Sequence, residues 1–180
     1  SPLRPLFGKA APHAVLAATS QAPIFAGSVH LDPKAIFRAI RKAAATGGEG
    51  DEVDAGIKAA KGFGLDLEKL DTILTGEIGL TVFGDSSGLA TGESPQDLFG
   101  ATLVVGLAKD SPLKGALDKA ATVTPEGILT GGKGRWQVRV PDYERPLHIA
   151  LTAGHLVIST DPEASKRAGA QPPGFTRSYQ

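Results

Sequence analysis

Apolar and polar positions alternate with two different periods along this chain, and the changes of period mark its elements. Residues 24 to 31, "IFAGSVHL", alternate loosely and carry β-branched and aromatic side chains, as a strand does. "HAVLAATS" (13 to 20) is a second such run, and the turn-like "SQAP" between them predicts a hairpin. After Asp32-Pro33 the period lengthens. Ile36, Phe37, Ile40, Ala43 and Ala44 recur at three- and four-residue steps, with Lys34, Arg38, Arg41 and Lys42 on the remaining positions. That spacing predicts an amphipathic helix, stopped by the glycine-rich "TGGEGDE". Two shorter helical patterns follow, "VDAGIKAAKGF" (53 to 63) and "LEKLDTIL" (67 to 74), the second with Asp66 placed to cap it.

The same succession then returns. "EIGLTVF" (77 to 83) and "ATLVVGLA" (101 to 108) read as strands, and the helix of "KDSPLKGALDKAA" carries Leu113, Ala116, Leu117 and Ala120 on one stripe, with Ser111 expected as its cap and Pro112 as its first residue. A third copy is tighter: "LHIALT" (147 to 152), the turn Ala153-Gly154, "HLVIST" (155 to 160), then "DPEASKRAGA". "RWQVRV" (135 to 140) adds a strand with Trp136, Val138 and Val140 on one side. Hairpins imply antiparallel neighbours. The expected fold is therefore α+β, an antiparallel or mixed sheet built from repeated hairpin-plus-helix units with the helices mainly on one face. Residues 1–170 are expected to form a single domain and 171–180, "QPPGFTRSYQ" at its end, a tail or linker.

Composition changes this picture little. Of the 180 residues, 41% are apolar and 21% charged, ordinary for a globular chain and unlike a disordered one. Nineteen basic residues balance nineteen acidic ones, so no global field steers the molecule to nucleic acid or an anionic membrane. The absence of cysteine excludes disulfides, thiolate metal sites and cysteine nucleophiles. No apolar run approaches the ~20 residues of a membrane span, and residues 1 to 15 lack the pattern of a signal peptide. The chain contains no methionine, even at its start, and is expected to be a piece of a longer protein.

The chemistry-bearing residues divide between structural and functional readings. Asp32, Asp110 and Asp161 stand at equivalent positions and invite an acid/base reading, but each is placed where a helix begins, and capping accounts for its type. "GDSSG" (84 to 88) resembles the nucleophile neighbourhood of trypsin-like serine proteases over five residues only, departing at Ser87 and Leu89, and reads as a turn. It opens the longest connection, residues 84 to 100, the first place to look for recognition and, through Asp85, Ser86 or Ser87, the place a hydrolase would use. "GILTGGKG" (127 to 134) nearly matches a phosphate loop. Gly134 replaces the hydroxyl residue and a strand follows, so it reads as a flexible turn. A two-residue turn at 153–154 pairs Thr152 with His155 and Ser159 with His148, leaving the two histidines about 13 Å apart on one face, too far to share an ion. His13 and His30 add no ligand spacing. No catalytic residue, cofactor or metal site is assigned. The basic stripe Lys34, Arg38, Arg41 and Lys42 is the most coherent polar surface, available to another envelope protein or an anionic surface or simply solvated; its shortness and the lack of interleaved aromatics argue against nucleic acid.

Strands ending in Asp-Pro before a helix, "LDTILTGEIGLTVFGD", "LVVGLAKDSPLKGALDKA" and "HIALTAGHLVISTDPEASK" together resemble a family of bacterial exported, lipoprotein-like ectodomains over residues 24 to 169. The likeness is one of rhythm and brings no functional residue with it. It implies an extracytoplasmic location, periplasm or cell surface, with no activity to carry over. With no reaction centre assigned, the expected role is a non-catalytic binding or scaffolding domain of a bacterial cell-envelope protein. The alternatives are a hydrolase working from the 84–100 loop and a structural spacer.

Overall fold

The computed structural model describes residues 24–84, 99–125, 127–140, 145–152 and 154–163. Seven strands form one sheet: β1 (Phe25–His30), β2 (Leu74–Gly84), β3 (Phe99–Leu107), β4 (Leu129–Gly132), β5 (Arg135–Val138), β6 (Leu147–Thr152) and β7 (His155–Ser159). Their order is β1-β2-β3-β7-β6-β5-β4, and every neighbouring pair is antiparallel. Helices α1 (Pro33–Gly47) and α2 (Gly50–Gly62) and a 3-10 helix (Leu67–Thr72) connect β1 to β2, and α3 (Leu113–Val123) carries the chain from β3 in the middle to β4 at the far edge. The fold is α+β with an antiparallel sheet.

Local chemistry accounts for most element boundaries. At α1 the Asp32 carboxylate accepts the backbone N–H groups of Lys34 (2.9 Å) and Ala35 (3.2 Å), while Pro33 opens the helix where no N–H is needed. Gly48 ends it in the left-handed region at φ 85°, which costs a glycine little. Asp66 likewise accepts from the Glu68 N–H, but the helix it starts is 3-10 and stops at Thr72, shorter than the pattern to residue 74 suggests. Leu74 already belongs to β2, because sheet pairing with Leu107 outcompetes another helical turn.

Three expectations need correction. Ser111 does not cap α3. Leu113 is its first helical residue, Pro112 occupies the cap position without a side-chain bond, and the Ser111 Oγ is buried with no partner among the described residues. The tight turn closed by Ser111 N–H to the Ala108 carbonyl fixes residues 108–111 one step early, and Asp110 is left exposed. Residues 127–134 are not simply a turn. Gly127-Ile128 form a turn, but Thr130 and Gly131 pair with Gln137 and Trp136 in β4–β5, and Lys133-Gly134 turn again, with φ of 56° and 85°, as a tight two-residue hairpin requires. Finally, the apolar stripe of α1 is only partly covered. Ala44 is buried and Ile36 and Phe37 are half-buried, whereas Ile40 is 51% exposed, because the helix packs mainly against the 3-10 helix and α2 and less against β2.

The core follows the pleat. Val104, Val157 and Ala150 stand opposite one another across β3, β7 and β6 and are almost wholly buried. On the same face a row of hydroxyls, Thr81, Thr102 and Ser159, is equally buried, and the Thr102 and Ser159 hydroxyls lie 2.8 Å apart in a hydrogen bond. The opposite face is apolar, with Ile78, Val105, Ile158 and Trp136 among its members, and grades from buried Trp136 to exposed Phe25, Val29 and Leu80 at the β1 side. No helix among the described residues is long and apolar enough to cross a membrane.

Candidate functional site

At one end of the sheet, β2 stops, β3 begins, β6 begins and β7 stops within one neighbourhood. An open cleft of about 510 Å³ lies there, lined by Phe83, Gly84, Phe99, Gly100, Arg145, Pro146, His148, Thr160, Asp161 and Pro162. That volume is in the range of small-molecule sites.

The cleft is built by an aromatic and glycine exchange between two strands. Phe83 stands opposite Gly100, and Gly84 opposite Phe99. A Cβ placed on Gly100 would lie 2.2 Å from Phe83 Cε2 and 2.9 Å from Thr160 Oγ1. The ring therefore rests directly on the Gly100 backbone, and only glycine leaves room for it. The neighbouring wall is held from beneath. The Thr160 N–H donates to the Ala101 carbonyl (3.1 Å) and its Oγ1 accepts the Ala101 N–H (3.0 Å), so the β3–β7 ladder runs past Ser159. The buried Ser159 Oγ accepts the Asp161 N–H at 3.0 Å and donates to the Ala101 carbonyl at 3.2 Å. Asp161 in turn accepts the Glu163 N–H at 2.8 Å. Its carboxylate thus opens the last described turn while also forming part of the cleft wall.

The registers place the singled-out acids. His30, which precedes Asp32, lies opposite Glu77 at one end of the sheet, and Leu107, which precedes Asp110, is at that same end. Asp161 follows Ser159, which pairs with Thr102 near the other end. The three carboxylates therefore do not share a site.

His148 and His155 pair with Ser159 and Thr152, as the two-residue turn requires, and only His148 lines the cleft. No group of three or more His, Cys, Asp or Glu among the described residues is placed to hold a metal ion. Asp85, Ser86 and Ser87 lie outside the described residues, as do the strand at 13 to 20, the tail from 171 and most of the 84–100 connection. The ends of that connection, Gly84 with Phe99 and Gly100, are part of the cleft.

The basic stripe of α1 is largely engaged within the molecule. Lys34 Nζ is 2.8 Å from Asp71, and Arg41 contacts Asp54 at 2.8 Å and Glu68 at 3.7 Å. The Lys34 hydrogen bond holds the Asp71 carboxyl below its ordinary value. Arg38 donates to the Lys34 carbonyl, and Arg38 and Lys42 make no ion pair among the described residues.

Sequence reasoning did not single out Phe83, Phe99 or Arg145. The visible signal was the pair of Phe-Gly dipeptides, 83–84 and 99–100, flanking the longest connection. No family model, no curated protein and no solved structure matches the chain.

Proposed function

We propose that this chain is a non-catalytic binding domain of a bacterial cell-envelope protein, and that the cleft at the β2–β3 and β6–β7 ends is where it binds. The observation that carries the reading is the Phe83 ring laid on Gly100 in a cleft whose lining also includes Arg145, His148 and Asp161. An aromatic surface beside a few convergent polar groups is the usual make-up of a small-ligand site. The envelope location rests on the resemblance in strand, Asp-Pro and helix rhythm to exported ectodomains.

The α1 stripe is the weaker surface for a partner, because two of its four cations already face carboxylates of the same chain. A low-molecular-weight fraction of envelope extract, examined by ligand-detected NMR, tests the choice between the two surfaces. Ligand signals should appear with the unaltered chain and with the Arg38→Glu, Lys42→Glu double variant, and disappear with folded Phe83→Ala. Equal signals from Phe83→Ala, or loss confined to the charge-reversal variant, would place binding elsewhere.

A further inference from the structure

The lining of the cleft narrows the chemistry of what it takes, an inference that rests on the binding role proposed above. Its polar groups include opposite charges that cancel, those of Arg145 and Asp161. A ligand with net charge would gain from one and lose to the other. His148 in its neutral form supplies a ring donor and a ring acceptor, so the wall offers both kinds of hydrogen-bonding group. Phe83 and Phe99 supply the aromatic part of the same lining.

An anionic lipid fits this lining poorly, since Asp161 would face its headgroup. An extended peptide would want a strand edge to pair with. Here β3 and β7 are paired with each other as far as Ala101 and Thr160, so they present no open ladder in the cleft. A saccharide satisfies every feature. Its hydroxyls both donate and accept, it carries no charge, and the C–H face of its ring is apolar enough to lie on an aromatic side chain. Arg145 and Asp161 already make interactions within the chain. These hold them in position, and a guanidinium with five N–H groups and a carboxylate with about four lone-pair sites have capacity for a ligand's hydroxyls as well.

We infer that the cleft binds a neutral oligosaccharide, one sugar ring resting against Phe83 and its hydroxyls shared among Arg145, Asp161 and His148. The volume of about 510 Å³ suits a short oligosaccharide rather than a buried chain.

The test is a set of ¹H–¹⁵N titrations with maltotriose, cellotriose and chitotriose, alongside decanoate and trialanine, up to millimolar concentrations. The expected result is that at least one trisaccharide moves the amides of Gly84, Gly100, His148 and Thr160. Its affinity should fall about tenfold or more in Phe83→Ala and in Arg145→Gln. Phe83→Tyr, which keeps the ring, should restore most of it. If Phe83→Ala fails to fold, Arg145→Gln and Phe83→Tyr carry the test. Movement of the same amides by decanoate or trialanine and by no sugar would overturn the saccharide assignment and leave the binding site standing. Sugar binding undiminished in both Phe83→Ala and Arg145→Gln would also overturn it. Silence from every probe would count against the site itself.

Discussion

Gly76 is the position where the structure makes its most exacting demand on sequence. It sits in the irregular stretch between Leu74 and Ile78, where the β2–β3 register shifts, with φ of 92°. Its carbonyl accepts the Leu31 N–H at 2.8 Å, tying β2 to the step between β1 and α1. A Cβ there would lie 2.0 Å from the Leu31 carbonyl oxygen and 3.2 Å from Pro33 Cδ. For Gly76→Ala, the left-handed backbone alone costs about 1–2 kcal/mol. The collision is with backbone and cannot be relieved by a rotamer, so Leu31 must move and its hydrogen bond is lost, a further ~1 kcal/mol. The total, about 2–3 kcal/mol, is a large share of the ~5–15 kcal/mol that holds a typical domain together. Urea unfolding followed by circular dichroism should show the midpoint falling with little change in slope, and thermal melting should drop by roughly 4–12 °C for a chain of this size. Gly115→Ala is the internal control. It lies in α3 with nothing within 4 Å of its Cβ, and should stabilise the protein by ~0.5–1 kcal/mol. A Gly76→Ala cost under about 1 kcal/mol, with the control behaving as expected, would refute the reasoning that this bulge is locked by its backbone contacts.

Other consequences are smaller but equally concrete. Asp32→Ala removes a cap that satisfies two N–H groups and should lower unfolding free energy by ~1 kcal/mol, with Asp32→Asn or Ser recovering most of it in the same denaturant assay. At the buried hydroxyl pair, Ser159→Ala should cost more than Thr102→Val, about 1–3 against ~1 kcal/mol, because Ser159 also serves the Asp161 N–H and the Ala101 carbonyl; equal costs would show that those two bonds contribute nothing. Asp71 has its folded-state carboxyl held low by Lys34, so its contribution is present above its unfolded value and lost as pH falls through the folded one. Lys34→Met should therefore raise the Asp71 titration midpoint read from carboxyl ¹³C shifts and flatten the acid side of the stability profile. The effect will be small and reduced by salt, since both side chains are exposed.

What could be read from the sequence was whatever local chemistry decides. The Asp32-Pro33 start and the Gly48 stop of α1 are each settled within a few residues, and the structure has both. The pairing of Ser159 with His148 followed from the two-residue spacing of the β6–β7 turn. Ser111 shows where local rules fail. A hydroxyl before Pro112 satisfies the capping pattern, yet the preceding turn back to Ala108 determines where its oxygen goes. The surroundings of α1 were hidden for a related reason. Its periodicity marks an apolar stripe without saying what will face it, and the 3-10 helix and α2 bring Asp71, Glu68 and Asp54 against two of its exposed cations. The cleft was beyond local reading altogether. It exists because β7 pairs with β3, which requires α3 to cross to the far edge and β4, β5 and β6 to fold back, and no short-range pattern encodes that order.

The Asp-Pro step occurs at both ends of the sheet, and its two settings show why one end forms a cleft. After β1, Asp32 caps α1, and the backbone beside it is closed by the Leu31 to Gly76 hydrogen bond and by Pro33 lying against Gly76. After β7, Asp161 accepts the Glu163 N–H in the same manner, but its neighbour across the sheet is the Phe-Gly exchange of β2 and β3. Two glycines there withdraw side-chain volume from the strand ends, and two phenylalanines return it as ring surface. The acid is thus structural in both settings, and the difference in function lies with its neighbours. It follows that swapping the two members of this cross-strand pair, Phe83→Gly with Gly100→Phe, should keep an aromatic opposite a glycine while moving the ring from β2 to β3. Retained stability with lost ligand signals would mean that the position of the ring, and not simply its presence, makes the site.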